Sequence, residues 1–268
     1  MEVAAPDGVG FFLWWGLSVA ALGLICATVF PLHRRLALLS GLWSAHFGLL
    51  EPIFVPEYWN PPHLFGSWLS IEAVAFAFGS GVLTWLAAAV PFGSRITCNI
   101  GISWLWRRLV LTDLILIAGI AVSWRRAFGF IPLPIGDADL LAIAIVGAFF
   151  LVRRPDAWPF AVTGCLGFSL IYALQLAILT TLVPGVGLIW STNAGMGPFL
   201  FGLPFEEMMW AVLFGAIAPM GIAYGNEVRL SSVHAIEVVD RGTAVFHRIA
   251  LSLNPSRDAV RARFKRDS

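Results

Sequence analysis

The sequence has 268 residues, of which 59% are hydrophobic, 13% aromatic and only 12% charged, with net charge +1 and mean hydropathy +0.83. A soluble domain carries about 25% charged residues, so this chain cannot cover a water-facing surface of its size, and disorder is excluded because disordered chains are poor in apolar side chains. The near-zero charge also excludes a field suited to nucleic acid; the composition is that of an integral membrane protein.

A helix needs ~20 apolar residues to cross the ~30 Å hydrocarbon layer. That template predicts seven spans, at about 10–31, 36–56, 67–91, 105–124, 138–152, 158–183 and 199–224. The first is too long and too poor in preceding basic residues for a cleaved signal peptide. The fifth is squeezed between Asp139 and Arg153, and the Pro/Gly-rich run 128–136 before it is expected to be partly embedded. His33-Arg34-Arg35, then Arg95 with Arg107-Arg108, then Arg153-Arg154 fall in alternate loops, with Arg125-Arg126 on the other side. By the positive-inside rule this places the N-terminus outside and the C-terminus in the cytoplasm, in a prokaryotic plasma membrane. The expected organisation is a seven-helix domain over 1–225 and a cytoplasmic tail over 226–268. That tail carries a short amphipathic helix near Ala244–Leu253.

Two stretches echo each other. Trp59-Asn60-Pro61-Pro62 and Leu64-Phe65-Gly66 lead into Ile71-Glu72-Ala73; later, Trp190-Ser191-Thr192-Asn193 and Leu200-Phe201-Gly202 lead into Phe205-Glu206-Glu207. Spans one to three and five to seven therefore read as two parallel three-helix units joined by span four as linker (units about 10–91 and 138–224, linker 105–124). Internal repeats of this kind place sites at the interface between units.

Several acids lie where charge is costly. No Lys or Arg occurs between residues 36 and 94, yet Glu51, Glu57 and Glu72 do, and the last span holds Glu206 and Glu207. A charged group at the bilayer centre costs at least ~2.5 kcal/mol, so each needs a partner, water or a proton. Desolvation favours the neutral acid, which is a proton donor. The competing reading makes Glu206 and Glu207 first-turn acids behind Pro204, complementing the helix dipole. Glu72 is expected to lie deeper, in a helix starting near Gly66, and Asp113 to pair with Arg108 or with a buried hydroxyl. Trp210 follows Glu206 by four residues and Phe76 follows Glu72 by four. Each aromatic thus shares a face with its acid, and a ring there can stabilise a cation. His46 and Glu51 lie ~140° apart on their helix and do not share a face.

The lone lysine, Lys265, lies in the tail, so a retinal Schiff base in a span is excluded. Five dispersed histidines exclude a histidine-clustered iron site, and three scattered cysteines give no disulfide or zinc pattern. There is no GxGxxG, P-loop or GxSxG motif. No cofactor is expected, and any chemistry is acid–base.

Pro204-Phe205-Glu206-Glu207 opening a membrane helix, preceded by Phe201-Gly202, resembles the Pro-x-Glu-Glu motif of the membrane-embedded lycopene cyclase domain of the heterodimeric or tandem-domain kind. The family unit is three helices with the motif on the third, which matches both units over about 10–225. The first copy, Ser70-Ile71-Glu72-Ala73, lacks the proline and the second glutamate, which marks a divergent member. The resemblance implies non-redox cyclisation of a linear carotene. In that reading Glu206 or Glu207 is the acid and Glu72 the partner carboxylate. Trp210 and Phe76 become cation stabilisers, Asn60 orients a carboxyl, and Glu51 and Pro204 complete the substrate site. The partners are a hydrophobic isoprenoid or lipid and the membrane, with self-association compatible with the sequence. The rival class is a non-enzymatic membrane protein of the same fold that binds or transports a lipid or ion.

Overall fold

A computed structural model describes residues 10–64, 70–98, 110–111, 114–115, 117–119, 134–192 and 195–231. The chain divides into two compact units, 1–229 and 230–268, and the helices below all belong to the first. The protein is all-α in its main architecture, and among the described residues six helices are long and apolar enough to cross a membrane. Of the predicted fourth span, residues 110–111, 114–115 and 117–119 are helical. Asp113, Arg108, Asn193, most of the 128–136 run and the tail helix lie outside the described residues.

Helix α1 covers Gly10–Val29. The second span is irregular: α2 (Arg34–Ser44), a tighter 3-10 stretch (Ala45–Leu50), then the short α3 (Glu51–Phe54). Pro52 has no N–H to give the Gly48 carbonyl, so that oxygen accepts from Glu51 N–H one residue earlier. The break puts Glu51 at the start of a new turn. Helix α4 (Ile71–Ala89) is capped by the Ser70 hydroxyl, which accepts from Ala73 N–H at 3.0 Å. Its start is therefore later than the expected one near Gly66, and Glu72 falls in the first turn rather than deep in the helix.

Helix α5 (Ile135–Arg153) is longer than its predicted 138–152. Pro134 sets the turn, and its carbonyl accepts from Ala138 N–H at 3.0 Å. Asp139 is consequently inside the span instead of bounding it. Helix α6 covers Trp158–Leu182, and α7 covers Phe205–Gly225. The predicted start of the last span at 199 is corrected by a hairpin in which β1 (Phe199–Leu200) pairs antiparallel with β2 (Leu203–Pro204). An apolar run this short does not distinguish strand from helix. Phe201 and Gly202, both at positive φ, turn the hairpin.

Helix α4 is the most enclosed span. It packs along α1 and α2 and meets α6 and α7, while α7 packs along α5 and α6. Small residues permit the close crossings, as membrane helix pairs require. A Cβ on Gly79 would lie 2.5 Å from the α1 backbone at Val19 and Ala20. A Cβ on Gly215 would meet the Gly164 carbonyl at 2.9 Å where α7 crosses α6. At the other end of α7, the Arg154 guanidinium is buried. It donates to both carboxylate oxygens of Asp156 (2.8 and 2.7 Å), to Ala223 O at 3.1 Å and to Val228 O at 2.6 Å. It thereby satisfies a last-turn carbonyl that the helix leaves open.

Candidate functional site

The first turn of α7 sets the two adjacent glutamates in different environments, because consecutive side chains diverge by ~100°. Glu207 points inward and accepts three hydrogen bonds: Tyr58 Oη at 2.7 Å and Trp190 Nε1 at 3.1 Å on Oε2, and Tyr172 Oη on Oε1. An ionised carboxyl only accepts, so this donor set fits the carboxylate. Burial, reinforced by the neighbouring Glu207, holds the Tyr58 phenol well above its usual range, which keeps its proton available to donate. Glu206 accepts from Gly197 N–H at 2.6 Å on Oε1. Its Oε2 is buried with no hydrogen-bond partner among the described residues.

Two loops bring the donors to Glu207. Trp59 and Trp190, the echoing tryptophans of the sequence, form an antiparallel bridge. Asn60 N–H donates to Ile189 O at 2.7 Å and Ser191 N–H to Tyr58 O at 2.9 Å. Tyr58 and Trp190 thus approach one carboxylate from segments before α4 and before α7. Replacing Tyr58 by Phe removes one charge-assisted bond, worth ~1.5–3 kcal/mol. A lowered melting temperature in detergent is the expected result.

Glu206 and Glu207 border a cavity of about 240 Å³ lined from all six spans and by Leu111, Ile115, Ala118 and Gly119 of the fourth predicted span. Glu51 and Asp139 also line it. Glu51 is 4% exposed, and neither of its oxygens has a hydrogen-bond partner among the described residues. Among the described residues that line it, none is Lys, Arg or His. The walls are aromatic. Trp210 stacks on Phe214 with centroids 4.8 Å apart and 9° between planes, Trp15 lies 4.9 Å from Phe76, and Phe76 6.2 Å from Trp210. Among the described residues no group of His, Cys, Asp and Glu could hold a metal ion. Carboxyls in an aromatic chamber can give and take protons, and the rings can stabilise positive charge on a bound carbon skeleton.

Of the residues singled out in the sequence, Glu51, Phe76, Glu206, Glu207 and Trp210 line this cavity, and Glu72, Asn60 and Pro204 do not. Glu72 is buried behind the wall, where its carboxyl accepts from Leu64 N–H at 2.7 Å and from Ser70 Oγ at 3.1 Å. The expectation that it is the partner carboxylate in the cavity is corrected accordingly: its first-turn position directs it to the loop. Asn60 is exposed and is held through its backbone, so the expected carboxyl-orienting role has no contact to support it. Pro204 is buried in β2, opposite Phe199, and immediately precedes α7.

The sequence reading missed Asp139, Tyr58 and Tyr172. A usable signal existed for the tyrosines. The chain has three in all, and a buried phenol requires a hydrogen-bond partner; two of the three are on Glu207. Searches against family models, curated proteins and solved structures give no match.

Proposed function

We propose that this chain is a carotenoid-type cyclase acting on a linear, lycopene-like isoprenoid within the membrane. The observation that carries the reading is the convergence of Glu51 from the first three spans with Asp139, Glu206 and Glu207 from the last three on one aromatic cavity. The reaction is a non-redox isomerisation. A carboxylic acid adds its proton to the terminal double bond, leaving a tertiary carbocation. An internal double bond attacks that carbon to close the ring, and a carboxylate removes a neighbouring proton to form the ring alkene. The stacked Trp210 and Phe214 with Phe76 offer π faces to the cation. Glu51, with both oxygens unpartnered, is assigned as the acid, and Glu206, with one free oxygen, as its alternate. Glu207, oriented by Tyr58, Tyr172 and Trp190, is the acceptor carboxylate.

The cavity is smaller than the ~300–1,000 Å³ of pockets that enclose drug-sized ligands. It therefore suits one end of a long isoprenoid, with the remainder lying along the helices in lipid. The same reading includes two parallel three-helix repeats with the fourth span as linker. In its favour, α4 lies against both α1 and α2 as α7 does against α5 and α6, and the two echoing tryptophans meet. An outside N-terminus and cytoplasmic C-terminus complete it, supported by the arginine distribution.

Expression in a lycopene-accumulating bacterium tests the proposal. Cyclic pigments are expected, and reaction in deuterated water is expected to place one deuterium in each new ring. Recovery of lycopene alone, with the protein present in the membrane, would overturn it.

A further inference from the structure

The segment between α6 and α7 has two faces. Its inner face holds the acids: Trp190 Nε1 donates to Glu207 Oε2 at 3.1 Å, and Gly197 N–H to Glu206 Oε1 at 2.6 Å. Its outer face is apolar. Phe201, at the turn of the hairpin, is 100% exposed, and Leu188, Met196, Phe199 and Leu200 are exposed as well. Gly187 packs so closely on that turn that a Cβ there would lie 2.5 Å from the Gly202 carbonyl, which brings the stretch at Leu188 against the Phe201 turn. Large apolar side chains exposed together mark a surface that meets lipid or protein.

The surroundings of this face point to lipid. Between Asp156 and Glu206 the sequence holds no charged side chain and no histidine, whereas a turn that faces water is normally polar. Along α6, Leu166, Leu170, Leu174, Ile178 and Leu182 are exposed at four-residue spacing, and residues so spaced share one helix face. On a membrane-crossing helix an apolar stripe of this kind faces lipid. The chain carries it on from Leu182 through the 3-10 turn Val186–Ile189 to Leu188 and the hairpin. Phe199 pairs with Pro204 and Leu200 with Leu203, and Phe205 N–H donates to Pro198 O at 3.0 Å. This internal pairing reduces the open backbone groups that contact with lipid would desolvate.

We propose that the hairpin Phe199–Pro204, together with Leu188 and Met196, is an interfacial membrane anchor whose partner is the acyl chains of the leaflet at the loop end of the bundle. Interfacial helices bury a face of Phe and Leu about 5–10 Å into the boundary of headgroup and hydrocarbon, and the hairpin presents the same side chains. The cover over Glu206 and Glu207 then borders lipid rather than water, the side from which an apolar ligand arrives. The anchor goes beyond the cyclase reading and holds whatever ligand the cavity takes.

Photo-crosslinking of the full chain in phosphatidylcholine vesicles tests the anchor. The photoreactive p-benzoylphenylalanine, placed at Phe201, inserts into C–H bonds within reach, and mass spectrometry identifies what it has captured. The same residue at Leu174, on the exposed stripe of α6, gives the lipid reference, and at Ser94, exposed in the turn after α4, the water reference. Phe201 is fully exposed, so the larger ring displaces no neighbour, and placement at Leu200 gives a second reading should the first variant fail to reach the membrane. A phosphatidylcholine adduct is expected in a yield close to that at Leu174 and several-fold above that at Ser94. A yield no higher than at Ser94 would overturn the proposal by showing the hairpin in water. A crosslinked dimer of the chain as the main product would overturn it equally, by showing that a second copy covers the patch.

Discussion

Glutamine at position 51 is expected to abolish cyclic product while leaving the protein folded in the membrane. The amide keeps the size and neutrality of the acid and lacks only the proton to give. Because neither Glu51 oxygen has a described hydrogen-bond partner, the substitution breaks no contact, and stability is expected to stay close to that of the parent. Loss of a positioned general acid costs ~10²–10⁴ in rate, which takes cyclic pigment below detection over a growth period. Glu207→Gln has a different signature. Its carboxylate accepts from Tyr58, Tyr172 and Trp190, and an amide nitrogen turned toward any of these sets donor against donor. That variant is expected to lose product and thermal stability together. Glu206→Gln keeps the acceptor for Gly197 N–H and measures how far the alternate acid contributes. Pigment profiles, membrane yield and melting temperature across the three variants separate these roles. A lipid or ion carrier would give a fourth pattern: no cyclic pigment from any variant, with proton-coupled flux lost in Glu51→Gln vesicles.

Composition was enough for the membrane environment and the helical class, because low charge and sustained apolar runs are additive along a chain and need no knowledge of contacts. Boundaries were harder. The hairpin at 199–204 reads as part of the last span because Phe199, Leu200, Phe201 and Leu203 are as apolar as helix interior. Only the positive φ of Phe201 and Gly202 sets it apart. Asp139 looked like an end to the fifth span, since charge normally marks the interface. Its place on the cavity wall beside Glu206 and Glu207 depends on α5 packing along α7, a long-range fact. Glu72 went the other way. Its four-residue spacing to Phe76 suggested one shared site, and the two do lie on the same helix, but the Ser70 cap starts α4 late enough to turn the carboxyl toward Leu64. Which of several buried acids have spare oxygens and which are saturated is set by loops folding over helix ends, and a one-dimensional pattern carries little of that.

The crossing of α1 and α4 yields the other large expected effect. Gly79→Ala would ordinarily stabilise a helix interior by ~0.8–1.0 kcal/mol on propensity alone. Here the sign reverses. A Cβ at position 79 would lie 2.5 Å from Val19 C and O and Ala20 N, and these are backbone atoms that cannot rotate aside. Ordinary carbon contacts begin near ~3.5 Å, so the helices must separate by about 1 Å. Overpacking of a rigid core costs ~1–3 kcal/mol, and the loss at Gly79 is expected at or above the top of that range. Gly10→Ala, at the start of the facing helix α1, is the control, since among the described atoms its Cβ would meet only the Trp14 side chain at 3.5 Å. The separation also reaches the chamber, because α1 carries Trp15, whose ring lies 4.9 Å from Phe76 of α4. Gly79→Ala is therefore expected to lower the melting temperature and to cut cyclic product even in the fraction that remains folded, whereas Gly10→Ala changes neither. Equal melting temperatures for the two variants would show that the α1–α4 contact is looser than this geometry requires.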